Sequence, residues 1–192
     1  MDRAEAVKEL KETFSILHGD VEEVISLHGD EMEAFHVRMM IRTYSALIEG
    51  LLYQMRQVAI NSEKEDHAVF SSEERIMLNE KSLSLNKKGE IEEKDNFERT
   101  LPMLLFTFKQ YAKIHGGEFS PDTGGNGWEC MKQFIAIRNR IVHPKSKDSL
   151  VLSETEWHDI NLGIGWFNLT VKKLFAETDK ADEYFRSQSN NQ

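Results

Sequence analysis

The chain has 192 residues, 40% of them hydrophobic and 30% charged, with a formal net charge of −9. That is enough chain for one domain with a real core, and too acidic for a surface that binds nucleic acid everywhere. No apolar run approaches the ~20 residues of a membrane span, and the single cysteine, Cys130, excludes an intrachain disulfide or a cysteine-rich zinc site.

The N-terminus, MDRAEAVKELKE, is acidic and helical in style rather than a signal peptide, so a cytoplasmic location is expected. Residues 1–36 hold ten acids and three bases, which puts −7 of the −9 there. Ala6, Leu10, Phe14 and Leu17 follow at helical spacing. The phrase LHGD then occurs twice, at 17–20 and 27–30. His18, Asp20, His28 and Asp30 could be read as metal ligands. The plainer reading is punctuation: glycine ends a helix, Asp20 with Glu23 forms a capping box, and Asp30 caps the next helix. No metal or other cofactor is expected.

From Glu31 to about Ile60 runs the longest expected helix, apolar nearly all round, as suits a central or interface helix. Arg38, Arg42, Ser45, Glu49 and Arg56 crowd into one narrow strip of it. That strip is either a solvated line of ion pairs, the commoner fate of such charges, or one wall of a polar cleft. Residues 61–97 read as a polar insertion, with a short serine-capped helix at SSEERIMLNE and a small hairpin about Asn-Lys-Lys-Gly in SLSLNKKGEIEE. Thr100-Leu-Pro102 opens another helix, which runs to Ile114 and stops at Gly116-Gly117. GGEFSPDTGGNG is too irregular for a phosphate-binding loop and reads as a mobile connector, or less readily as a substrate flap.

The next helix, Trp128 to about Val142, carries the candidate site. Phe134, Ile137, Ile141, Met131, Val142, Ile135 and Trp128 share a broad apolar arc, while Glu129, Lys132, Gln133 and Arg140 lie opposite, where charges belong. Arg138 falls in the middle of the apolar arc. A buried guanidinium without a partner costs several kcal/mol, so Arg138 must be paired or must line a polar pocket. Its planar fork of donors suits a phosphate or a carboxylate. His143 precedes Pro144, which biases it out of the α region and ends the helix there, leaving the imidazole free to turn back toward Arg138. An imidazole beside a fixed cation suits acid–base work in phosphoryl chemistry, and Asn139 can orient either group or the substrate. From Met131 to Lys147 there are five bases and no acid: Lys132, Arg138, Arg140, Lys145 and Lys147. The last helix begins at a Ser153–Glu156 capping box and runs to about Glu177. In it Gly163 and Gly165 need a backbone or ring packed close by, and residues 178–192 read as a frayed tail. The sum is one all-α domain over 1–177, a bundle of four to six helices.

The run Arg138-Asn139-Arg140-Ile141-Val142-His143, closed by Pro144, resembles the signature of the HEPN superfamily (higher eukaryotes and prokaryotes nucleotide-binding). More loosely, the resemblance spans about residues 31–176, taking in SALIEGLLY and GIGWFN. It implies a helical bundle that dimerises by bringing two motif helices together. It also implies a metal-independent endoribonuclease of toxin–antitoxin or phage-defence type, with RNA or a nucleotide bound and an antitoxin or other protein as a further partner. Under it Arg138 holds the scissile phosphate, His143 moves the proton of the ribose 2′-OH or of the leaving oxygen, and Asn139 is the auxiliary polar residue. Arg140, Lys145 and Lys147 are then candidate RNA contacts, and Glu49 is a candidate to reach the motif and hold Arg138. Dimerisation would also bury the apolar arc around Arg138. The insertion and the acidic N-terminal region have no place in the family pattern. The alternative is a non-catalytic interaction or nucleotide-sensing module, in which Arg138 makes a structural ion pair and His143 sits favourably at a helix C-terminus.

Overall fold

Six α-helices and one antiparallel hairpin account for most of the chain: α1 Arg3–Ser26, α2 Ala34–Glu63, α3 Ser72–Leu78, β1 Lys81–Leu85, β2 Ile91–Asp95, α4 Thr100–Ile114, α5 Asn126–Val142 and α6 Glu154–Ser189. The computed structural model describes residues 1–27, 34–63, 70–95 and 99–189. The chain divides into two compact units, one of residues 1–10, 52–120 and 176–192, the other of residues 11–51 and 121–175. It passes between them within α1, α2 and α6 and between residues 120 and 121.

In the first unit Leu104, Phe108, Met55 and Val58 are wholly buried, and Phe70 and Leu78 nearly so. The polar insertion folds as its turn chemistry dictates. Ser71 accepts from the Glu74 amide and Glu74 reaches back to the Ser71 amide, starting α3 with a capping box. The hairpin pairs Lys81 with Asp95 and Leu85 with Ile91, and Gly89 takes the positive φ of 77° that its turn needs. Helix α4 ends as expected: Gly116, at φ 72°, turns the chain so that the Gly117 amide donates to the Ala112 carbonyl at 3.0 Å. The expected tail after Glu177 is instead more helix. Thr178 is buried, and the Asp182 carboxylate accepts from His115 Nδ1 at 2.9 Å, which gives this last stretch something to pack on.

In the second unit Tyr44 of α2 meets Phe134 of α5 and Phe167 of α6 edge-on, each with ring centroids 6.4 Å apart. Burial pushes the Tyr44 phenol up to about 12, partly offset by its bond to Asn168, so it stays protonated and donates to the Asn168 side chain. The expected break at His18-Gly19-Asp20 is absent: α1 runs straight through it. The apolar register continues to the buried Val21 and Val24, and burying two valines outweighs the ~1 kcal/mol cost of one helical glycine. His28, Asp30 and the expected start of α2 at Glu31 lie outside the described residues. Helix α2 is not the longest; that is α6, with 36 residues.

The two glycines of α6 differ. A Cβ on Gly163 would stand 2.8 Å from the Cys130 carbonyl oxygen and 3.0 Å from Met131 Cα, so α6 crosses α5 in backbone contact there. Gly165 is exposed with nothing within 4 Å. Gly163→Ala should therefore cost roughly 1–3 kcal/mol by overpacking against rigid backbone. Gly165→Ala should gain roughly 0.5–1 kcal/mol from helix propensity. Urea titrations of the two variants will show opposite shifts in midpoint.

Candidate functional site

Helix α5 starts where the glycine-rich connector ends, and that connector is pinned. Pro121 is buried, the Asp122 carbonyl accepts from the Trp166 indole at 2.8 Å, and a Cβ on Gly127 would strike the Trp166 ring at 2.9 Å. Trp128 then packs on Trp166 with ring centroids 5.0 Å apart. Cys130 is buried beside Asp159; burial first, and that carboxylate second, raise its thiol pKa, which keeps it neutral and unsuited to nucleophilic attack.

The apolar arc of α5 is buried by its own chain. Met131, Phe134 and Ile141 have no exposed surface and Ile137 only 4%. Trp128, Ile135 and Val142 of the same arc are half-buried. Arg138 lies at its edge, with 21% of its side chain exposed, and pairs through Nη2 with Glu49 of α2. Its Nη1 donates to the Asn139 side-chain oxygen at 3.0 Å, and its Nε is buried without a partner. The candidate support, Glu49, thus does reach the motif.

The polar strip of α2 resolves the same way. The strip keeps features of both readings: Arg42 and Glu49 are exposed, yet its first three charges all reach polar groups of α5 or of the turn after it. Arg38 donates to the Leu150 carbonyl at 3.4 Å, Arg42 to the Ile141 carbonyl at 3.5 Å, and Glu49 accepts from Arg138. Ser45, buried between them, bonds back to the Ile41 carbonyl at 2.7 Å. The two arginine contacts are long for hydrogen bonds, but each meets an orphan carbonyl: Ile141 is in the last turn of α5 and Leu150 ends a 3-10 turn, Lys147–Leu150. Arg56 belongs to the other unit and pairs with Glu80 at 2.8 Å. Arg38 and Arg42 were legible as part of the strip; their direction was not, because a helical wheel says which residues share a face and not what that face meets.

His143 caps α5 at φ −120° and ψ 64°, outside the α region as Pro144 requires, with its amide donating to the Asn139 carbonyl at 3.0 Å. Its ring is exposed and makes no hydrogen bond or ion pair among the described residues. The structure thus brings Arg138, Asn139 and Glu49 into contact and places His143 at the open end of the same helix. Lys145 and Lys147 are exposed on the turn that follows.

Arg140 is different. Expected on a solvated face as an RNA contact, it donates instead to the Val151 carbonyl at 2.9 Å and to Glu156 at 2.6 Å. It ties α5 to the capping box that begins α6, where Ser153 and Glu156 satisfy each other's amides. Its guanidinium is occupied by structure.

Among the described residues no three His, Cys, Asp or Glu side chains cluster as a metal site would require; His18 lies 3.6 Å from Glu22 on α1. No helix among them is long and apolar enough to cross a membrane. Compared with family models, curated proteins and solved structures, the chain matches none.

Two stability measurements follow. Arg140→Ala should cost roughly 1–2 kcal/mol by orphaning the Val151 carbonyl and Glu156, whereas Lys145→Ala should stay within ~0.5 kcal/mol. Because Glu49 is 48% exposed, a double-mutant cycle across Arg138 and Glu49 should return a coupling below ~1 kcal/mol. A larger coupling would mark that pair as a structural clamp.

Proposed function

We propose that the protein is of the class of all-α proteins that act on RNA phosphodiesters through an arginine and a histidine at one helix end. More particularly, we read it as a HEPN-type, metal-independent endoribonuclease that works as a homodimer in a toxin–antitoxin or phage-defence setting. One observation carries the reading: the helix that holds Arg138, with Asn139 bonded to it, terminates at an exposed imidazole whose ring has no partner among the described residues.

In this reading Arg138 and its Asn139 partner hold the scissile phosphate and stabilise charge on the pentacoordinate transition state. One His143 takes the proton of the ribose 2′-OH as that oxygen attacks phosphorus. The 5′-oxygen leaves with a proton from an imidazolium, and the product is a 2′,3′-cyclic phosphate. Two subunits supply the two imidazoles these roles require. DNA lacks the attacking oxygen, so RNA is the substrate. Lys145 and Lys147 add positive charge next to the site; the acidic N-terminal region suits a basic protein partner.

A second reading is favoured by a different observation, the Arg138–Glu49 ion pair. Under it the chain is a non-catalytic interaction or nucleotide-sensing module, and Arg138 is structural.

Incubation of the pure protein with single-stranded and structured RNA in EDTA separates the two. The nuclease reading expects cutting that EDTA leaves intact and that a 2′-deoxy substitution at the cut site abolishes. Arg138→Ala and His143→Ala should each slow cutting by roughly 100-fold or more while melting close to the parent. Absent cutting, or cutting unchanged in both variants, leaves the sensing module.

A further inference from the structure

A cleft of about 490 Å³ lies between the start of α2, the 3-10 turn and the first turn of α6. That falls within the roughly 300–1,000 Å³ of ordinary small-ligand sites. Its walls include Val37, Leu150 and Trp157, and its charged groups are Arg38, Lys147 and Glu154. Trp157 is half-buried, and its indole makes no ring contact or hydrogen bond among the described residues. Arg38 uses one of its donors on the Leu150 carbonyl, and neither Arg38 nor Lys147 has a carboxylate partner among the described residues.

Two cations without a carboxylate partner among the described residues, at one cleft, are unexpected on a chain of net charge −9. Both α2 and the loop before α6 offer acids elsewhere, and Arg138, Arg140 and Arg56 each have one. An apolar wall with an unstacked indole beside two cations that meet no carboxylate among the described residues is complementary to a ligand with an aromatic ring and an anionic group a few bonds away. Glu154, exposed at the rim, lowers the local charge to a single positive one, enough for one phosphate monoester or diester. The neighbouring end of α6 adds a favourable dipole for the same anion.

We infer that this cleft binds a single nucleotide unit, its base against Trp157 and its phosphate between Arg38 and Lys147. The choice of a nucleotide over other flat anions rests on the reading of the protein as one that acts on RNA. Lys147 follows His143 by one short loop, so in an RNA the cleft holds a nucleotide flanking the scissile phosphate. The site then serves as the base-recognition subsite of the proposed reaction, or by itself as the sensor of a non-catalytic module.

The test is calorimetric titration of the full chain with each of the four nucleoside 5′-monophosphates, and with adenosine, inorganic phosphate and dodecanoate. At least one monophosphate is expected to bind in the micromolar to submillimolar range and at least tenfold more tightly than the nucleoside or phosphate. Trp157→Ala and Lys147→Ala should each weaken it by about tenfold, Trp157→Phe by less, and Lys88→Ala, exposed on the hairpin, not at all. Lys147 is exposed, so its variant tests the cleft even where Trp157→Ala disturbs the fold. The inference is overturned if no monophosphate binds up to millimolar concentration, or if phosphate alone binds as well. It is equally overturned if dodecanoate is preferred, or if Lys147→Ala and Trp157→Ala both bind as the parent does. Nucleotide binding by a protein that cuts no RNA removes the nuclease and keeps the cleft. RNA cutting without nucleotide binding removes the cleft and keeps the nuclease.

Discussion

The site depends on which face of α5 is buried. Met131, Phe134, Ile137 and Ile141 fill that face, and α6 approaches it so closely at Gly163 that only a hydrogen fits. With those four side chains committed, Arg138 has one place to go. Its guanidinium meets Glu49 of α2 while most of the side chain is buried, a common compromise for a long cationic side chain. The imidazole at the end of the helix is positioned by the same constraint, because the helix axis is fixed by the packing and Pro144 fixes where the helix stops.

Charge on α2 is arranged to receive that helix. Arg38 and Arg42 point at carbonyls that have lost helical partners, and Glu49 meets Arg138. Such contacts are weak in water-exposed settings, so their value lies in direction more than energy. They leave a seam of alternating charge rather than a neutral joint, and a seam of guanidinium donors is chemically suited to a phosphate that displaces Glu49. An anionic ligand at Arg138 must compete with that carboxylate.

An acidic chain can still carry a local basic patch because the opposite charges are separated along the sequence. Phosphate binding needs local neutralisation, and the run from Met131 to Lys147 contains only bases. Within that run the structure redistributes the roles: Arg140 is spent on Val151 and Glu156, while Lys145 and Lys147 remain in solvent. The basic patch is therefore smaller than a count of its residues suggests. Arg38, about a hundred residues earlier in the chain, replaces part of what Arg140 withdraws.

Much of the architecture was legible in local signals. The capping boxes at Ser71 and Ser153, the glycine stop after Ile114, the Asn-Lys-Lys-Gly hairpin and the proline-limited end of α5 each depend on a few neighbouring residues, and each formed as its chemistry demands. Gly19 misled for the same reason. Locally it is a helix breaker, and only the burial of Val21 and Val24 decides otherwise. Periodicity also isolated Arg138 as out of place and the strip on α2 as unusual. What a periodicity cannot contain is the partner of a face: that Arg138 meets Glu49, that Arg140 ties α5 to α6, that Gly163 lies on the backbone of Cys130, and that Trp157 shares a cleft with Arg38. Those pairs are separated by 16 to 119 positions in the chain. Only the packing of helices in three dimensions chooses among the many contacts that such separations allow.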